Sequence, residues 1–201
     1  MARLQLNKSS LARESKNLRT YEGFLPSLDL KRQQLMAERA KAARVLAEIR
    51  REIGAFRERV GRDLPMLANL DVDLSGLATI TGVQLGTENL VGTRLPRLEE
   101  IKFDVRPYAL LAKPHWVDNV VDMLRGMLEM RVRLRVQERR LSYLDAAIKT
   151  ITQRVNLFDK VLIPRARSNI KRIKIYLSDE EMSAVVRSKI AKKKRTEMRS
   201  A

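Results

Sequence analysis

Residues 134–162 read LRVQERRLSYLDAAIKTITQRVNLFDKVL, with apolar side chains recurring at steps of three, four or seven positions. This spacing is the heptad pattern of a coiled-coil helix. The apolar stripe consists of Leu134, Leu141, Leu144, Ile148, Ile151, Val155, Phe158 and Leu162. A helix with one narrow apolar stripe is not stable alone in water, so this stretch needs a helical partner.

A second stripe near the other end of the chain supplies that partner. It keeps one heptad frame throughout and consists of Leu18, Tyr21, Leu25, Leu28, Leu35, Ala42, Leu46, Ile49, Ile53, Phe56 and Val60. Because each stripe can bury itself against the other, the pattern predicts a mainly α fold. We expect a long antiparallel two-helix coiled coil, with a small mixed head that contains a short β-hairpin. Such a rod is suited to transmitting force or spanning distance rather than to catalysis.

Proline and glycine positions predict the boundaries of these parts. Residues 1–64 are expected to form the N-terminal helix, 65–114 the small globular head, and 115–201 the C-terminal helix and its basic tail. The first helix should begin near Ser9 or Ser10, either of which can cap a first turn. A kink or short break is expected at Gly23 and Pro26, since proline removes an amide donor.

The second helix has two proline signals of its own. Pro114 fits the first helical position, where a missing amide costs nothing, and Pro164 predicts an interruption. The apolar stripe also shifts by one residue there, from Leu162 to Ile163, which predicts that the seam rotates or a kink is absorbed.

The segment between the helices contains four of the six prolines and four of the eight glycines. Alternating apolar residues occur at Val83/Leu85, at Val91/Thr93/Leu95 and at Ile101/Phe103/Val105, and residues such as Gly86-Thr87-Glu88-Asn89 separate them. This pattern predicts two or three short strands joined by loops.

Composition limits the classes of function. The chain has 201 residues, no cysteine and no apolar run near the roughly 20 residues that span a bilayer, so we expect a cytosolic protein without direct membrane insertion. The net charge is +17, and residues 187–201 alone hold seven basic groups and one acidic group. The helical arms and the tail are basic while the head is near neutral, which favours anionic partners.

Motifs for chemistry are weak or missing. The sequence has no glycine-rich phosphate loop, and its single histidine, His115, has no supporting residues for a triad or a zinc site. Asp71, Asp73 and Gly76 resemble the opening of a calcium loop, but the twelfth position is Gly82 rather than glutamate. We therefore predict no catalytic residue, no cofactor and no metal.

Several residues are candidates for contacts with other proteins. Arg32, Arg39 and Arg131 lie where the heptad pattern would bury them, so they either form a partly exposed seam edge or pair with a partner's carboxylates. Trp116 either forms a partner-facing patch or closes the core where helix and head meet. The basic tail, with Lys192, Lys193 and Lys194, is either a solvated helix end or a weak nucleic-acid signal, because no aromatic residue interleaves with it.

Three stretches resemble the D subunit of the vacuolar/archaeal-type (V/A-type) rotary ATPases and ATP synthases, in the form that bacteria carry. The first covers Leu6-Asn7-Lys8-Ser9-Ser10-Leu11 and Leu28-Asp29-Leu30-Lys31-Arg32-Gln33-Gln34-Leu35. In the head, Asn89, Gly92 and Pro96 are similar to the family's Asn-x-x-Gly-x-x-x-Pro hairpin. The most specific stretch is Arg154-Val155-Asn156-Leu157-Phe158 followed by Ile163-Pro164-Arg165.

The resemblance implies a non-catalytic central-stalk subunit, the rotor shaft that couples ATP hydrolysis or synthesis to ion translocation by rotation. It implies as partners the catalytic and regulatory subunits of the ATPase ring, the small F subunit of the stalk and a funnel-shaped subunit that joins the membrane rotor ring. The protein would then be cytoplasmic and peripheral to the membrane, and no nucleic acid is expected. The resemblance adds Asn89, Gly92 and Pro96 to the candidates named above. The expected contact residues are therefore Arg32, Arg39, Arg131, Asn89, Gly92, Pro96, Trp116, Lys192, Lys193 and Lys194.

Two other functions remain open from the residues alone. A basic coiled-coil protein could bind nucleic acid or ribosomes through its tail and arms. A homodimeric coiled-coil scaffold would also satisfy the two stripes.

Overall fold

The computed structural model describes residues 4–68, 74, 76–107 and 116–198. Its elements in chain order are helix α1 (Lys8–Asp63), a short 3-10 helix (Pro65–Ala68), strand β1 (Ala78–Leu90), strand β2 (Thr93–Val105), helix α2 (Val117–Leu157), a π-helical turn (Phe158–Leu162) and helix α3 (Ile163–Glu197). The predicted class, mainly α with one antiparallel hairpin, is confirmed. Pro114, His115 and the Asp71 and Asp73 segment lie outside the described residues.

Helix α1 begins earlier than predicted and is not broken. Asn7 is the capping residue, because its Oδ1 accepts a hydrogen bond from the backbone N–H of Ser10 at 2.7 Å. The predicted cap at Ser9 or Ser10 is therefore wrong. Of the kink or short break predicted at Gly23 and Pro26, the break is wrong because Pro26 lies inside the continuous helix, and the kink stays a prediction. A proline removes one hydrogen bond, and the apolar stripe on both sides of Pro26 provides packing that outweighs this local loss.

The interruption predicted at Pro164 takes the form of the π-helical turn. The N–H of Ile163 donates to the carbonyl oxygen of Phe158, five residues back, so the turn contains one residue more than an α-helical turn. A wider turn also accommodates Pro164, which has no N–H for the carbonyl of Lys160. The extra residue explains the shifted stripe: Ile163 is buried, whereas Leu162 is only partly buried. The predicted shift is confirmed.

The chain divides into two compact units, and the first comprises residues 31–150. Within it, α1 and α2 run antiparallel. Arg39 contacts Asp145 with 2.5 Å between Nε and Oδ1, and Arg50 contacts Glu138 with 3.1 Å between Nη2 and Oε1, so numbers rise on one helix as they fall on the other. The buried stripe residues of this unit are Leu35, Ala42, Leu46, Ile49, Ile53 and Leu144.

The second unit comprises residues 1–30 and 151–201, and its helices are also antiparallel. Glu22 accepts a hydrogen bond from Arg167 at 2.7 Å, and Glu14 accepts one from Asn169 at 3.3 Å. Its buried stripe residues are Ile151, Val155, Ile163, Ala166 and Ile173. The heptad pattern therefore marks the buried face correctly in each unit.

The hairpin differs from its prediction in length and in the place of its turn. Two 13-residue strands pair antiparallel, with Leu90 opposite Thr93, so the turn is Val91-Gly92. Gly86, predicted to lie in a separating turn, is inside β1 opposite Arg97. A Cβ at Gly86 would meet the carboxylate of Glu99, the flexible end of that side chain, so this glycine lies at a close contact within the strand rather than at a reversal.

Candidate functional site

Arg140 connects three elements of the unit formed by residues 31–150. From α2, its Nη1 donates to Glu88 Oε2 on β1 at 2.7 Å, and its Nη2 donates to Glu38 Oε1 on α1 at 2.9 Å. Its side chain is only 12% exposed. We call Arg140, Glu88 and Glu38 the arginine clamp. It attaches the distal part of the hairpin to both helices.

The clamp shifts the protonation equilibria of Glu88 and Arg140. The hydrogen bond and the charge of Arg140 lower the pKa of Glu88, with smaller contributions from more distant cations. Burial lowers the pKa of Arg140, but the hydrogen bonds to Glu88 and Glu38 outweigh it and raise that pKa overall. Both groups are therefore held in their charged forms.

An apolar contact accompanies the clamp. Leu95 is fully buried and is the register partner of Glu88 on the facing strand. Directly paired residues of an antiparallel hairpin project to the same face, so Leu95 and Glu88 both project toward the helices. The distal hairpin is thus held by one apolar side chain beside a charged one.

The base of the hairpin is attached by an apolar cluster instead. Leu77, Val117 and Val121 form its buried centre, and Val105 and Trp116 pack against it. Trp116 is only partly exposed. Of its two predicted roles, closing the core where helix and head meet is the one that this packing supports.

Asn89, Gly92 and Pro96 lie together at the distal end of the hairpin. Asn89 is exposed and pairs in register with Arg94, while Pro96 is partly buried and pairs with Thr87. Gly92 has φ of 79° and follows Val91 with φ of 49°, the two left-handed residues that a tight type I′ turn requires. The segment that resembles the family's hairpin motif is therefore one structural feature, the turn and its flanks.

A groove of about 760 Å³ lies between β2 and the two helices of the same unit. Leu98, Ile101 and Phe103 line it from the strand, and Ile49 and Gln137 line it from the helices. The buried Oε1 of Gln137 has no hydrogen-bond partner among the described residues. The middle of the hairpin is therefore less closely packed than its two ends.

The three predicted arginines occupy different environments. Arg39 is exposed and pairs with Asp145 of the same chain. Arg32 is partly buried, two turns earlier on the same helix. Arg131 lies on α2 and is exposed, so both of its predicted roles, a seam edge and a pairing with a partner's carboxylates, stay predictions.

The basic tail is the end of α3, in the unit formed by residues 1–30 and 151–201. Lys192, Lys193 and Lys194 are exposed on this helix. Met182, Val186 and Ile190 are each more than half exposed on the same helix. Met182 follows the fully buried Ile173 by nine residues, about two and a half turns, so it points away from the seam.

Sequence reasoning missed both the arginine clamp and this outward apolar face. The four-residue spacing of Met182, Val186 and Ile190 was a signal for the face. No pattern in the sequence distinguishes Arg140 from the many other basic residues of α2. Among the described residues, no group of three or more potential metal ligands occurs, and no described helix is long and apolar enough to cross a membrane.

Comparison with known proteins agrees with the resemblance. Residues 10–193 match the protein family of the ATP synthase D subunit. A V-type ATP synthase D subunit of Borreliella burgdorferi is 32% identical, over 96% of this chain and 95% of its own length. Two further V-type ATP synthase D subunits, from Chlamydia felis and Chlamydia pneumoniae, are 32% and 30% identical, over 96% and 98% of this chain and 94% and 95% of their own lengths.

The match covers most of α1, both strands of the hairpin, all of α2 and most of α3. The family match and the identities to these relatives, rather than the fold alone, define the class as D subunits of the V-type ATP synthases. The chain belongs to the family of ATP synthase D subunits.

Proposed function

We propose that this chain is a central-stalk subunit, the rotor shaft of a V/A-type ATPase or ATP synthase. In this role it couples ATP hydrolysis or synthesis in a catalytic ring to ion translocation by rotating. The observation that carries the proposal is the family match over residues 10–193, which includes the described helices and strands except the two ends of the chain's outer helices, the start of α1 and the end of α3.

The helix pairs suit a shaft physically. Each unit pairs two antiparallel helices along a buried apolar stripe, and a pair resists twisting better than a lone helix. Cross-helix contacts such as Arg39 with Asp145 and Arg167 with Glu22 lie along the flanks of these pairs. A single exposed ion pair adds little to the free energy of unfolding. Such contacts therefore determine how the helices align rather than how stable the fold is.

The proposed partners follow from the same role. Catalytic and regulatory subunits would surround the end of the chain that carries both termini. The small F subunit of the stalk would bind along the coil, and a funnel-shaped subunit would join the shaft to the membrane ring. The chain itself would carry no active site and would lie at the membrane only as part of the complex. Its tail lysines would meet acidic groups of the ring.

A single-molecule experiment tests the rotor role. Because the chain has no cysteine, Thr79→Cys on the exposed side of β1 gives one attachment point for a bead. In a complex reconstituted with the ring subunits, ATP should drive stepwise rotation of the bead. A complex that binds this chain and hydrolyses ATP without rotating it would contradict the proposal.

The tail separates the rotor role from the nucleic-acid alternative. Deleting residues 192–201 should weaken coupling or assembly without abolishing hydrolysis by the ring. In the alternative, the deletion should remove most of a salt-dependent affinity for RNA or DNA, because clustered cations release counterions on binding phosphate. Lys149→Gln, a neutralised exposed lysine on α2, is the control. Tight, tail-dependent nucleic-acid binding without association with a ring would favour the alternative.

A further inference from the structure

The hairpin is attached to its unit at two separate places that differ in chemistry. Its base belongs to the apolar cluster of Leu77, Val117 and Val121. Its distal half is attached by the arginine clamp and by Leu95. The two attachments lie at opposite ends of strands that are 13 residues long.

The stretch between these attachments is irregular and loosely packed. The strand register shifts between Ile80 and Gly82 and again between Gln84 and Leu85, and such bulges bend a strand and weaken its ladder. The groove of about 760 Å³ lies under β2 in this same region. Val83 and Leu85 are exposed on the opposite strand. The guanidinium of Arg125 lies 5.5 Å from the ring centroid of Phe103, which pairs with Ile80 on the base side of the bulges. The part of the hairpin beyond the bulges is therefore attached to the helices mainly at its distal end.

We propose that the distal half of the hairpin is a releasable strap, hinged at the two bulges and held closed by the arginine clamp. Release would break the contact of Arg140 with Glu88, expose Leu95 and open the groove between β2 and the helices. The base would stay attached throughout. This inference goes beyond the proposed rotor role and concerns the chain by itself.

The chemistry of the two attachments explains why the distal one opens first. The burial of apolar side chains at the base is not weakened by added salt, because salt screens charge pairs and does not loosen apolar packing. The Glu88 side of the clamp is 45% exposed, so water and ions compete with its pairing to Arg140. Glu38 keeps Arg140 paired on its other side, and release of Glu88 therefore leaves no buried charge without a partner. The clamp can open at Glu88 without disturbing the helices.

Hydrogen exchange of the full-length chain tests the strap. Glu88→Gln weakens only the hairpin side of the clamp, and Glu38→Gln weakens only the α1 side. With Glu88→Gln, backbone amides between the bulges and the turn should exchange roughly three- to tenfold faster, as expected for weakening one charged hydrogen bond. Amides at 78–80 and 101–105 should keep their exchange rates. Added salt should also speed the exchange of the distal amides in the unmutated chain.

Two controls keep the result specific. Arg50→Gln removes a coil ion pair that does not involve the hairpin and should leave distal exchange unchanged. A folded Arg140→Gln variant should show the same faster distal exchange as Glu88→Gln. Because Glu88 is an exposed residue, the test with Glu88→Gln does not depend on whether the Arg140 variant folds. Faster exchange over the whole hairpin, base included, would show that it detaches as one piece. Unchanged distal exchange in Glu88→Gln would show that the clamp does not hold the strap. Either result overturns the proposal.

Discussion

Tyr21 of α1 and Phe158 of the π-helical turn meet edge to face, with ring centroids 5.6 Å apart and ring planes at 84°. This arrangement places the positive edge of one ring against the negative face of the other. The contact lies where the turn widens, so it fixes the position of the turn along its partner helix.

A double-mutant cycle should detect this contact. Tyr21→Ala and Phe158→Ala should each lower the free energy of unfolding, and the double variant should lose less than their sum. The expected coupling is about 0.5–1.5 kcal/mol, the range for aromatic pairs beyond their burial. Denaturant unfolding of the four proteins measures it. Strict additivity would mean that the rings are neighbours without an energetic contact.

Two leucines on α2 give a matched test of the seam. Leu144 is fully buried, whereas Leu157 is 47% exposed. Leu144→Ala should lower the free energy of unfolding by about 2–5 kcal/mol through lost packing and a cavity. The same change at Leu157 should cost less than about 1 kcal/mol. Equal losses in thermal or denaturant unfolding would show that burial along the stripe does not stabilise the coil.

Two glycines should respond in opposite directions to alanine. Gly126 lies within α2, and an added Cβ would meet the ring of Phe56 at 3.5 Å, an ordinary contact. Gly126→Ala should therefore raise the free energy of unfolding by about 0.5–1 kcal/mol through helix propensity. Gly92 has φ of 79°, so Gly92→Ala should lower it by about 1–2 kcal/mol. A destabilised Gly126→Ala variant would indicate that Phe56 cannot accept the methyl group.

The attachment of the hairpin should depend on pH. The hydrogen bond from Arg140 lowers the pKa of Glu88 below its unfolded value. A carboxyl of this kind stabilises the folded state fully above its unfolded pKa, near 4.3 for glutamate, and the contribution is lost as pH falls through the lower folded pKa. Distal hairpin exchange, corrected for its intrinsic pH dependence, should therefore rise in acid. Glu88→Gln should remove that dependence, and its persistence in this variant would assign it to another group.

The helical seams could be predicted from sequence because they depend on spacing alone. The shift from Leu162 to Ile163 was visible as one extra residue in a repeat, and the π-helical turn is its structural cause. The alternation of apolar residues missed the turn because Val91 has a positive φ, which few β-branched residues adopt, whereas the resemblance at Asn89, Gly92 and Pro96 pointed to this segment. Gly86 suggested a turn at the wrong place, because it lies within β1 beside the side chain of Glu99.

The arginine clamp could not be predicted for a different reason. Glu38, Glu88 and Arg140 are far apart in sequence, and the register of the hairpin against the helices decides that they meet. A basic chain offers many equivalent arginines, so composition gives no preference among them. Long-range charge pairing follows from the fold and does not determine it.

The π-helical turn should tolerate the loss of its extra residue once proline is removed. Deleting Lys160 together with Pro164→Ala lets Phe158–Leu162 close as an α-helix, because an amide donor is restored and Ile163 stays on the buried face. Deleting the exposed Lys149 from α2 instead rotates one side of the helix by about 100° relative to the other. This second deletion should cost several kcal/mol, since each buried side chain displaced costs about 2–5 kcal/mol. Melting followed by circular dichroism compares them, and equal losses would show that the turn is not an insertion of one residue.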